Sequence, residues 1–209
     1  MKKVEEAVLK VIAGKAKYER DGTTFRYFPK SDTAKQLLHE ILNENSVIID
    51  FGGGLGGNYL ANRSELDKKN ITYIIIEQSS FVNQGKLLAN EFNLPIQFIE
   101  GIWESPVKNI KMLVLSSVLQ YVEEWKNVVS DLLACKPQYI LIDRMPLTDG
   151  PTSIFVQENG DYYNPKVSYP VRILNREEFL REFEGYTIIK KWESDFDPPN
   201  HLGFLLLNN

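Results

Sequence analysis

A glycine-rich segment that follows an apolar run constrains the fold of this chain more than any other feature. Residues 46–51 read Ser-Val-Ile-Ile-Asp-Phe, and five glycines fall among the next six residues. The apolar run is typical of a fully buried parallel strand, and glycine lets the backbone approach a ligand closely. From Asn58 the chain can begin a helix whose free N–H groups point at the loop. Strand, glycine loop and helix together predict the nucleotide- or adenosine-binding corner of a doubly wound α/β sheet.

Two binding patterns fit this loop equally well. Gly52, Gly54 and Gly57 satisfy the fingerprint of dinucleotide-binding proteins. Asp50, Gly52, Gly54 and Gly56 satisfy an acid-x-Gly-x-Gly-x-Gly pattern that resembles the first motif of S-adenosylmethionine-dependent methyltransferases. The loop alone therefore leaves both an NAD(P)-binding oxidoreductase and a methyltransferase open.

Length and composition exclude several classes of protein. The 209 residues suit one domain with a substantial core. A net charge of −4 argues against nucleic-acid binding, and the sequence has no run of 18 apolar residues that predicts a membrane span. The single cysteine, Cys135, fits a reducing cytoplasm. We expect a cytoplasmic protein with no metal site, and a homodimer is left open.

The pattern of apolar residues predicts two parts of the chain. Residues 1–45 form an N-terminal helical extension or cap, with a helix at 4–12, an aromatic-rich segment at 18–29 and a helix from Ser31 or Asp32. Residues 46–209 form the main domain, in which strands and helices alternate as in a mainly parallel sheet. The predicted strands are 46–51, 71–77, 96–99, 111–117, 138–143, 186–192 and 202–208, and the predicted helices are 57–69, 80–92, 122–134 and 175–183.

The last two predicted strands separate the candidate folds. Only residues 193–201 join them, and Pro198-Pro199 lies in the middle of that link. A parallel crossover needs a dozen or more residues, so the final strand should run antiparallel. A seven-stranded, mostly parallel sheet with one reversed last strand resembles the Rossmann-like class I methyltransferase fold, whereas a dinucleotide dehydrogenase needs a second binding half.

Acidic residues at the ends of the first two strands favour a nucleoside ligand. Consecutive parallel strands lie side by side, so the Glu77 carboxylate should lie beside Gly52 and Gly54. There it can accept hydrogen bonds from both ribose hydroxyls of an adenosine. The methyltransferase resemblance further implies that Asp50 orients the methionine part of the cofactor.

Two later segments continue the resemblance. After the third strand, methyltransferases commonly have Gly-Asp, but this chain has Gly101-Ile102, followed by Trp103, which is either core or stacked on adenine. After the fourth strand, Ser116 and Ser117 resemble the small residues beside the sulfonium, with Gln120 and Tyr121 bordering the methyl. The predicted contacts with S-adenosylmethionine are Asp50, Phe51, Gly52, Gly53, Gly54, Glu77, Gln78, Gly101, Ile102, Trp103, Ser116, Ser117 and Tyr121.

The landmarks at residues 50–56, 115–121 and 142–144 together resemble a bacterial methyltransferase family associated with lipopolysaccharide and capsule gene clusters. This resemblance implies O- or N-methylation of a small polar acceptor, a sugar or surface-polysaccharide precursor. Residues 145–175 would form a substrate lid over the pocket or a structural flap.

A hydroxyl acceptor needs a base for its proton. His201 is the first candidate, because its loop emerges on the ligand side of the sheet, and Asp143 is the reserve. A non-catalytic binding subunit with this fold is the third hypothesis.

Overall fold

The computed structural model describes residues 32–104, 108–158, 168–193 and 201–209. The predicted helix at 4–12, the aromatic-rich segment at 18–29 and the Pro198-Pro199 link lie outside the described residues.

Within these ranges helices and strands alternate in the first part of the chain, and strands dominate from residue 139 onward. The helices are α1 (Asp32–Ile41), α2 (Gly57–Lys68), α3 (Ser79–Glu91), α4 (Trp125–Leu133) and α5 (Arg176–Arg181), and single 3-10 turns lie at Ile102–Glu104 and Leu119–Tyr121. The strands are β1 (Val47–Phe51), β2 (Thr72–Ile76), β3 (Ile96–Ile99), β4 (Met112–Ser116), β5 (Tyr139–Thr148), β6 (Ser153–Glu158), β7 (Ser168–Asn175), β8 (Tyr186–Glu193) and β9 (His201–Asn208).

The strands form one mostly parallel sheet in which the order of the strands reverses between β1 and β4. Strands β3, β2, β1, β4 and β5 lie side by side in that order and run parallel. Strand β9 then pairs antiparallel with both β5 and β8. The antiparallel final strand predicted from the short link is confirmed, and the β1–β4 boundary is the switch point at which open α/β sheets bind ligands.

The sheet is larger than the seven strands predicted. The structure shows nine strands among the described residues. Strand β5 continues past its predicted end at Asp143 to Thr148. Its register with β9 shifts between Ile142 and Met145 and then resumes. Its last two residues pair with β7, and β7 pairs antiparallel with β6. The predicted excursion at 145–175 therefore begins as strand and continues as a hairpin.

Two apolar layers cover the two faces of the sheet. In β1, Ile48 belongs to one buried cluster and Ile49 to the other, as expected because successive strand residues face opposite sides. Helix α1 contributes Leu37 and Leu38 to the first cluster, and α5 contributes Phe179 to the second. No helix in the described ranges is both long enough and apolar enough to span a bilayer. The packed layers hold the carboxyl ends of β1, β2, β4 and β5 at one edge.

Candidate active site

The glycine loop and Glu77 lie together at this edge. The Gly52 N–H donates to the Ile76 carbonyl at 2.9 Å, and the Gly54 N–H donates to Glu77 Oε1 at 3.1 Å. The other carboxylate oxygen of Glu77 accepts from the N–H of Gln78, an exposed residue that precedes α3, at 2.9 Å. The structure therefore places the Glu77 carboxylate against the loop, as the side-by-side strands predict.

The first part of the loop has no room for side chains. Gly52 has φ +70°, and a Cβ built on it would lie 2.2 Å from Val118 Cγ2. A Cβ on Gly53 would lie 2.8 Å from the carboxyl group of Asp50. The bare backbone thus packs directly on the β4 exit and on the acid that ends β1, while Phe51 packs into the second apolar cluster.

Asp50 is a buried acid whose two carboxylate oxygens differ in their hydrogen bonding. It is 1% exposed, and its Oδ2 accepts from the Tyr73 hydroxyl at 2.7 Å and from Asn58 Nδ2 at 3.1 Å. Its Oδ1 is buried and accepts no hydrogen bond from the described residues. A buried acceptor without a donor is costly, so this atom fits a donor supplied by a ligand, such as the amino group of S-adenosylmethionine.

Burial shifts the protonation of this acid. Desolvation raises the pKa of Asp50 from 3.8 to about 6, against the lowering effects of the hydrogen bonds from Tyr73 and Asn58. The charge of Glu77 raises this pKa further and the charge of Arg144 lowers it. Keeping Asp50 ionised therefore lowers the free energy of unfolding. A cationic ligand beside Asp50 would favour the ionised form.

This shift predicts how stability depends on pH. Because the folded pKa of about 6 lies above 3.8, the contribution of Asp50 to stability is complete below pH 3.8 and is lost as the pH rises through 6. The loss is on the order of 3 kcal/mol, at about 1.4 kcal/mol per pKa unit. Urea unfolding at a series of pH values should show this loss in the wild type and a much smaller one in Asp50→Asn. Identical pH profiles for the two proteins would contradict the assignment.

The β3 exit presents an exposed tryptophan. Trp103 is 79% exposed, so the prediction that it belongs to the core is wrong, whereas the prediction that it stacks on adenine stays open. Its ring covers Gly101, where a Cβ would lie 2.2 Å from Trp103 Cη2. Ile102 is half-buried and packs against the second apolar cluster. An exposed aromatic ring therefore lies at the β3 exit.

At the β4 exit, small and polar residues replace the apolar strand. Ser117 has φ 53°, and its N–H donates to the Asp143 carbonyl at 2.9 Å. Gln120 is 1% exposed and donates from Nε2 to Ser117 Oγ at 2.8 Å, while its buried Oε1 has no hydrogen-bond partner among the described residues. The β4 exit therefore holds a second buried acceptor near the switch point.

Asp143 and Arg144 form an ion pair at the adjoining end of β5. Arg144 Nε lies 3.2 Å from Asp143 Oδ2, and Arg144 Nη2 donates to Ser116 Oγ at 2.7 Å. Trp192 Nε1 donates to Asp143 Oδ1 at 3.3 Å. Burial raises the pKa of Asp143, and Arg144 and Trp192 oppose this effect. Both oxygens of Asp143 are thus engaged by the protein, which weakens its case as a base.

The other candidate base, His201, is the first residue of β9. It lies opposite Pro146 on the part of β5 that extends beyond Asp143, and it is 8% exposed. Because β5 extends past the end of β4, His201 is at the same edge of the sheet as the glycine loop but farther out. The structure therefore places His201 opposite a residue of β5 that lies three positions beyond Asp143.

The β6–β7 hairpin touches the β4 exit. The Tyr121 hydroxyl donates to Gln157 Oε1 at 3.1 Å, and the rings of Tyr121 and Tyr169 meet edge to face with centroids 5.5 Å apart. Arg172 Nη1 donates to the Val122 carbonyl at 3.2 Å. These contacts fix one side of the hairpin beside the predicted cofactor residues.

Sequence reasoning missed several side chains that shape this site. Tyr73 lies within an apolar strand pattern, which indicates only burial, and the position of Asn58 indicates only the start of a helix. Arg144 belongs to the landmark at residues 142–144, but its place at a strand end indicates no specific role. Trp192 gave no signal, because its contact with Asp143 spans 49 positions. In the described ranges, no three His, Cys, Asp or Glu side chains group as metal ligands do.

Comparison with known sequences gives a partial match. No protein-family model matches the sequence. A stretch of 97 residues is 31% identical to the carboxy-S-adenosyl-L-methionine synthase of Colwellia psychrerythraea, which corresponds to 44% of this chain and 40% of the synthase. The chain thus matches about two fifths of the length of this curated relative.

Two solved structures are similar over nearly the whole chain. The first is Burkholderia thailandensis 1,6-didemethyltoxoflavin-N1-methyltransferase with bound 1,6-didemethyltoxoflavin and S-adenosylhomocysteine, at a TM-score of 0.59 and 12% identity, covering 99% of this chain and 87% of that one. The second is the N-terminal domain of EvdMO1 in the presence of S-adenosylhomocysteine and D-fucose, at a TM-score of 0.60 and 10% identity, covering 100% and 96%. With its parallel sheet and antiparallel carboxyl-terminal strand, the chain has the fold of the class I S-adenosylmethionine-dependent methyltransferases.

Proposed function

We propose that the chain is an S-adenosylmethionine-dependent methyltransferase that acts on the oxygen or nitrogen of a small polar acceptor, a sugar or surface-polysaccharide precursor. The observation that carries the proposal is the Glu77 carboxylate held against Gly54 N–H, above the buried Asp50. Three comparisons support S-adenosylmethionine as the cofactor: a curated relative named as a carboxy-S-adenosyl-L-methionine synthase, a similar structure with bound S-adenosylhomocysteine and another solved in its presence. No observation favours the dinucleotide oxidoreductase.

Different residues of the chain would bind different parts of the cofactor. Glu77 accepts hydrogen bonds from the ribose hydroxyls, since a carboxylate can bind two neighbouring hydroxyls at once. Asp50 Oδ1 accepts from the amino group, and Gly52 and Gly53 let the backbone lie against the amino-acid part. Trp103 covers the adenine. Each contact uses a group that the structure brings to the same edge of the sheet.

Methyl transfer then depends on orientation and on one proton. When bound, the cofactor supplies a methyl group activated by a sulfonium. The residues of the site would hold the acceptor in a fixed orientation toward that methyl group. A hydroxyl acceptor would give up its proton to a base of this chain. We assign the base to His201, which lies at the ligand edge of the sheet opposite Pro146.

The proposal of a sugar acceptor is based on the side chains where the β6–β7 hairpin meets the β4 exit. Tyr121, Tyr169 and Gln157 combine aromatic faces with an amide, which suits a ring that carries both C–H and hydroxyl groups. One similar structure was solved in the presence of D-fucose. The hairpin would act as the substrate lid of the domain 46–209.

Isothermal titration calorimetry with S-adenosylhomocysteine and with NADH tests the function. We expect binding of S-adenosylhomocysteine and none of NADH. The reverse pattern would establish a dinucleotide-binding protein. Binding without consumption of S-adenosylmethionine in a broad acceptor screen would favour a non-catalytic subunit.

Trp103 provides an optical test of the cofactor pose. Of the three tryptophans of the chain, Trp103 is 79% exposed and Trp125 is 6% exposed. Stacking of adenine on Trp103 should change the tryptophan fluorescence on titration with S-adenosylhomocysteine, and Trp103→Phe should remove most of that change while retaining binding. An unaltered fluorescence change in Trp103→Phe would place the adenine elsewhere.

Replacement of His201 tests the base. Loss of a general base costs about 100- to 10,000-fold in rate, so His201→Ala should lower turnover by at least about 100-fold with S-adenosylhomocysteine affinity unchanged. Asp143→Asn is the comparison variant, for which we expect a smaller loss of turnover. Turnover of His201→Ala that matches the wild type across pH would remove His201 from the mechanism.

A further inference from the structure

Three strands of the sheet are edge strands among the described residues. Strands β3, β6 and β8 each pair with a single neighbour, which is β2, β7 and β9 respectively. An edge strand directs unpaired N–H and C=O groups outward, so another strand can pair with it unless the edge is short or carries lysines. Strand β3 has four residues, and β8 carries Lys190 and Lys191. Strand β6 has six residues and no lysine, so it is the edge that remains open to pairing.

Strand β6 also exposes apolar side chains on both of its faces. Ile154 is 62% exposed, Phe155 is 52% exposed and Val156 is 72% exposed. Because successive strand residues face opposite sides, Ile154 and Val156 lie on one face and Phe155 lies on the other. A contiguous exposed apolar patch marks an interaction site, and here the patch flanks the free edge of the strand. A second strand placed along this edge would cover the patch on both faces.

The sequence of β6 is complementary to a second copy of itself. Residues 153–157 read Ser-Ile-Phe-Val-Gln, so a polar residue stands at each end of three apolar ones. When two such strands pair antiparallel about a twofold axis between their Phe155 residues, each Ile154 lies opposite Val156 of the other copy. The polar residues at the two ends then lie opposite each other, and no charged residue enters this pairing. Aromatic and β-branched cross-strand pairs stabilise antiparallel strands.

We propose that this chain forms a homodimer in which the β6 strands of two copies pair antiparallel and join the two sheets into one. A twofold interface uses the same surface on both copies, and the symmetric order of residues in β6 fits that requirement. Pairing supplies hydrogen-bond partners to the free backbone groups of β6 and covers its apolar side chains. Because Gln157 of β6 accepts from the Tyr121 hydroxyl, the interface would also hold the hairpin of each copy beside its β4 exit.

Substitutions of Phe155 test the dimer and its register together. Sedimentation velocity should show the wild type as a dimer at micromolar concentration. Phe155→Lys sets two ammonium groups opposite each other, and Phe155→Glu sets two carboxylates opposite each other. Like charges that meet at an interface oppose association, so each variant should weaken dimerisation by about 100-fold. An equal mixture of the two variants should dimerise again, because opposite charges then face each other across the two strands.

The edge strand β8 provides the matched control. Ile189 is 47% exposed, and Ile189→Lys adds the same charge away from β6, so it should leave dimerisation unchanged. Circular dichroism checks that each variant is folded, and Val156→Lys, which should also weaken dimerisation, replaces a Phe155 variant that does not fold. A monomeric wild type, a dimer that persists in Phe155→Lys, a mixture that stays monomeric, or loss of the dimer in Ile189→Lys would each overturn the proposal.

Discussion

Glu77→Ala should lower the affinity for S-adenosylhomocysteine by about 100-fold. The variant removes an ionised acceptor for two ribose hydroxyls, and hydrogen bonds to charged groups contribute about 1.5 to 3 kcal/mol. It also frees the Gly54 and Gln78 N–H groups that the carboxylate now holds, so the loop loses part of its support. Isothermal titration calorimetry measures the effect.

Two further variants separate the contributions of charge and shape at this position. Glu77→Gln keeps one acceptor oxygen and should lose about 10-fold in affinity. Glu65→Ala, which removes an exposed carboxylate on α2 that pairs with Lys68, should leave the affinity unchanged. If Glu77→Ala binds as tightly as Glu65→Ala and unfolds at the same urea concentration as the wild type, Glu77 does not hold the ribose.

Gly52→Ala should lower the free energy of unfolding by about 2 to 5 kcal/mol. The left-handed conformation at φ +70° costs an L-residue about 1 to 2 kcal/mol. The added Cβ would also lie 2.2 Å from Val118 Cγ2, and overpacking of this kind costs about 1 to 3 kcal/mol. Urea unfolding measures the sum, and any folded Gly52→Ala protein should bind S-adenosylhomocysteine more weakly.

Two other glycines provide matched controls for this experiment. Gly185 has φ +96° with no heavy atom within 4 Å of a built Cβ, so Gly185→Ala isolates the conformational cost of about 1 to 2 kcal/mol. A Cβ on Gly150 would make only an ordinary contact with Thr148 at 3.5 Å, so Gly150→Ala should stay within about 0.5 kcal/mol of the wild type. Equal losses in Gly52→Ala and Gly185→Ala would show that the Val118 contact relaxes freely.

The cofactor half of the site could be predicted from the sequence because its geometry is local. The order strand, glycine loop, helix, strand places the ends of β1 and β2 side by side, which brings Glu77 to Gly54 as observed. The direction of β9 could be predicted from the length of the link before it, because nine residues cannot form a parallel crossover. In both cases a short segment leaves the chain few alternatives.

The acceptor half could not be predicted because it depends on contacts between distant residues. The Asp143–Trp192 hydrogen bond joins positions 49 apart, and a Cβ on Gly203 would lie 2.0 Å from the Trp192 ring, so a glycine in β9 makes room for that ring. The irregular register of β5 turns Arg144 toward Ser116 without a sequence signal. The β6 and β7 strands lie in a segment where turn residues obscure the strand pattern.

A crystal structure with S-adenosylhomocysteine bound tests the central claim most directly. We predict that the Glu77 carboxylate contacts both ribose hydroxyls, that the amino group reaches Asp50 Oδ1, and that the sulfur lies near Ser116 at the end of β4. Adenosine bound away from the ends of β1 and β2, with Glu77 still held only by the Gly54 and Gln78 N–H groups, would contradict the account.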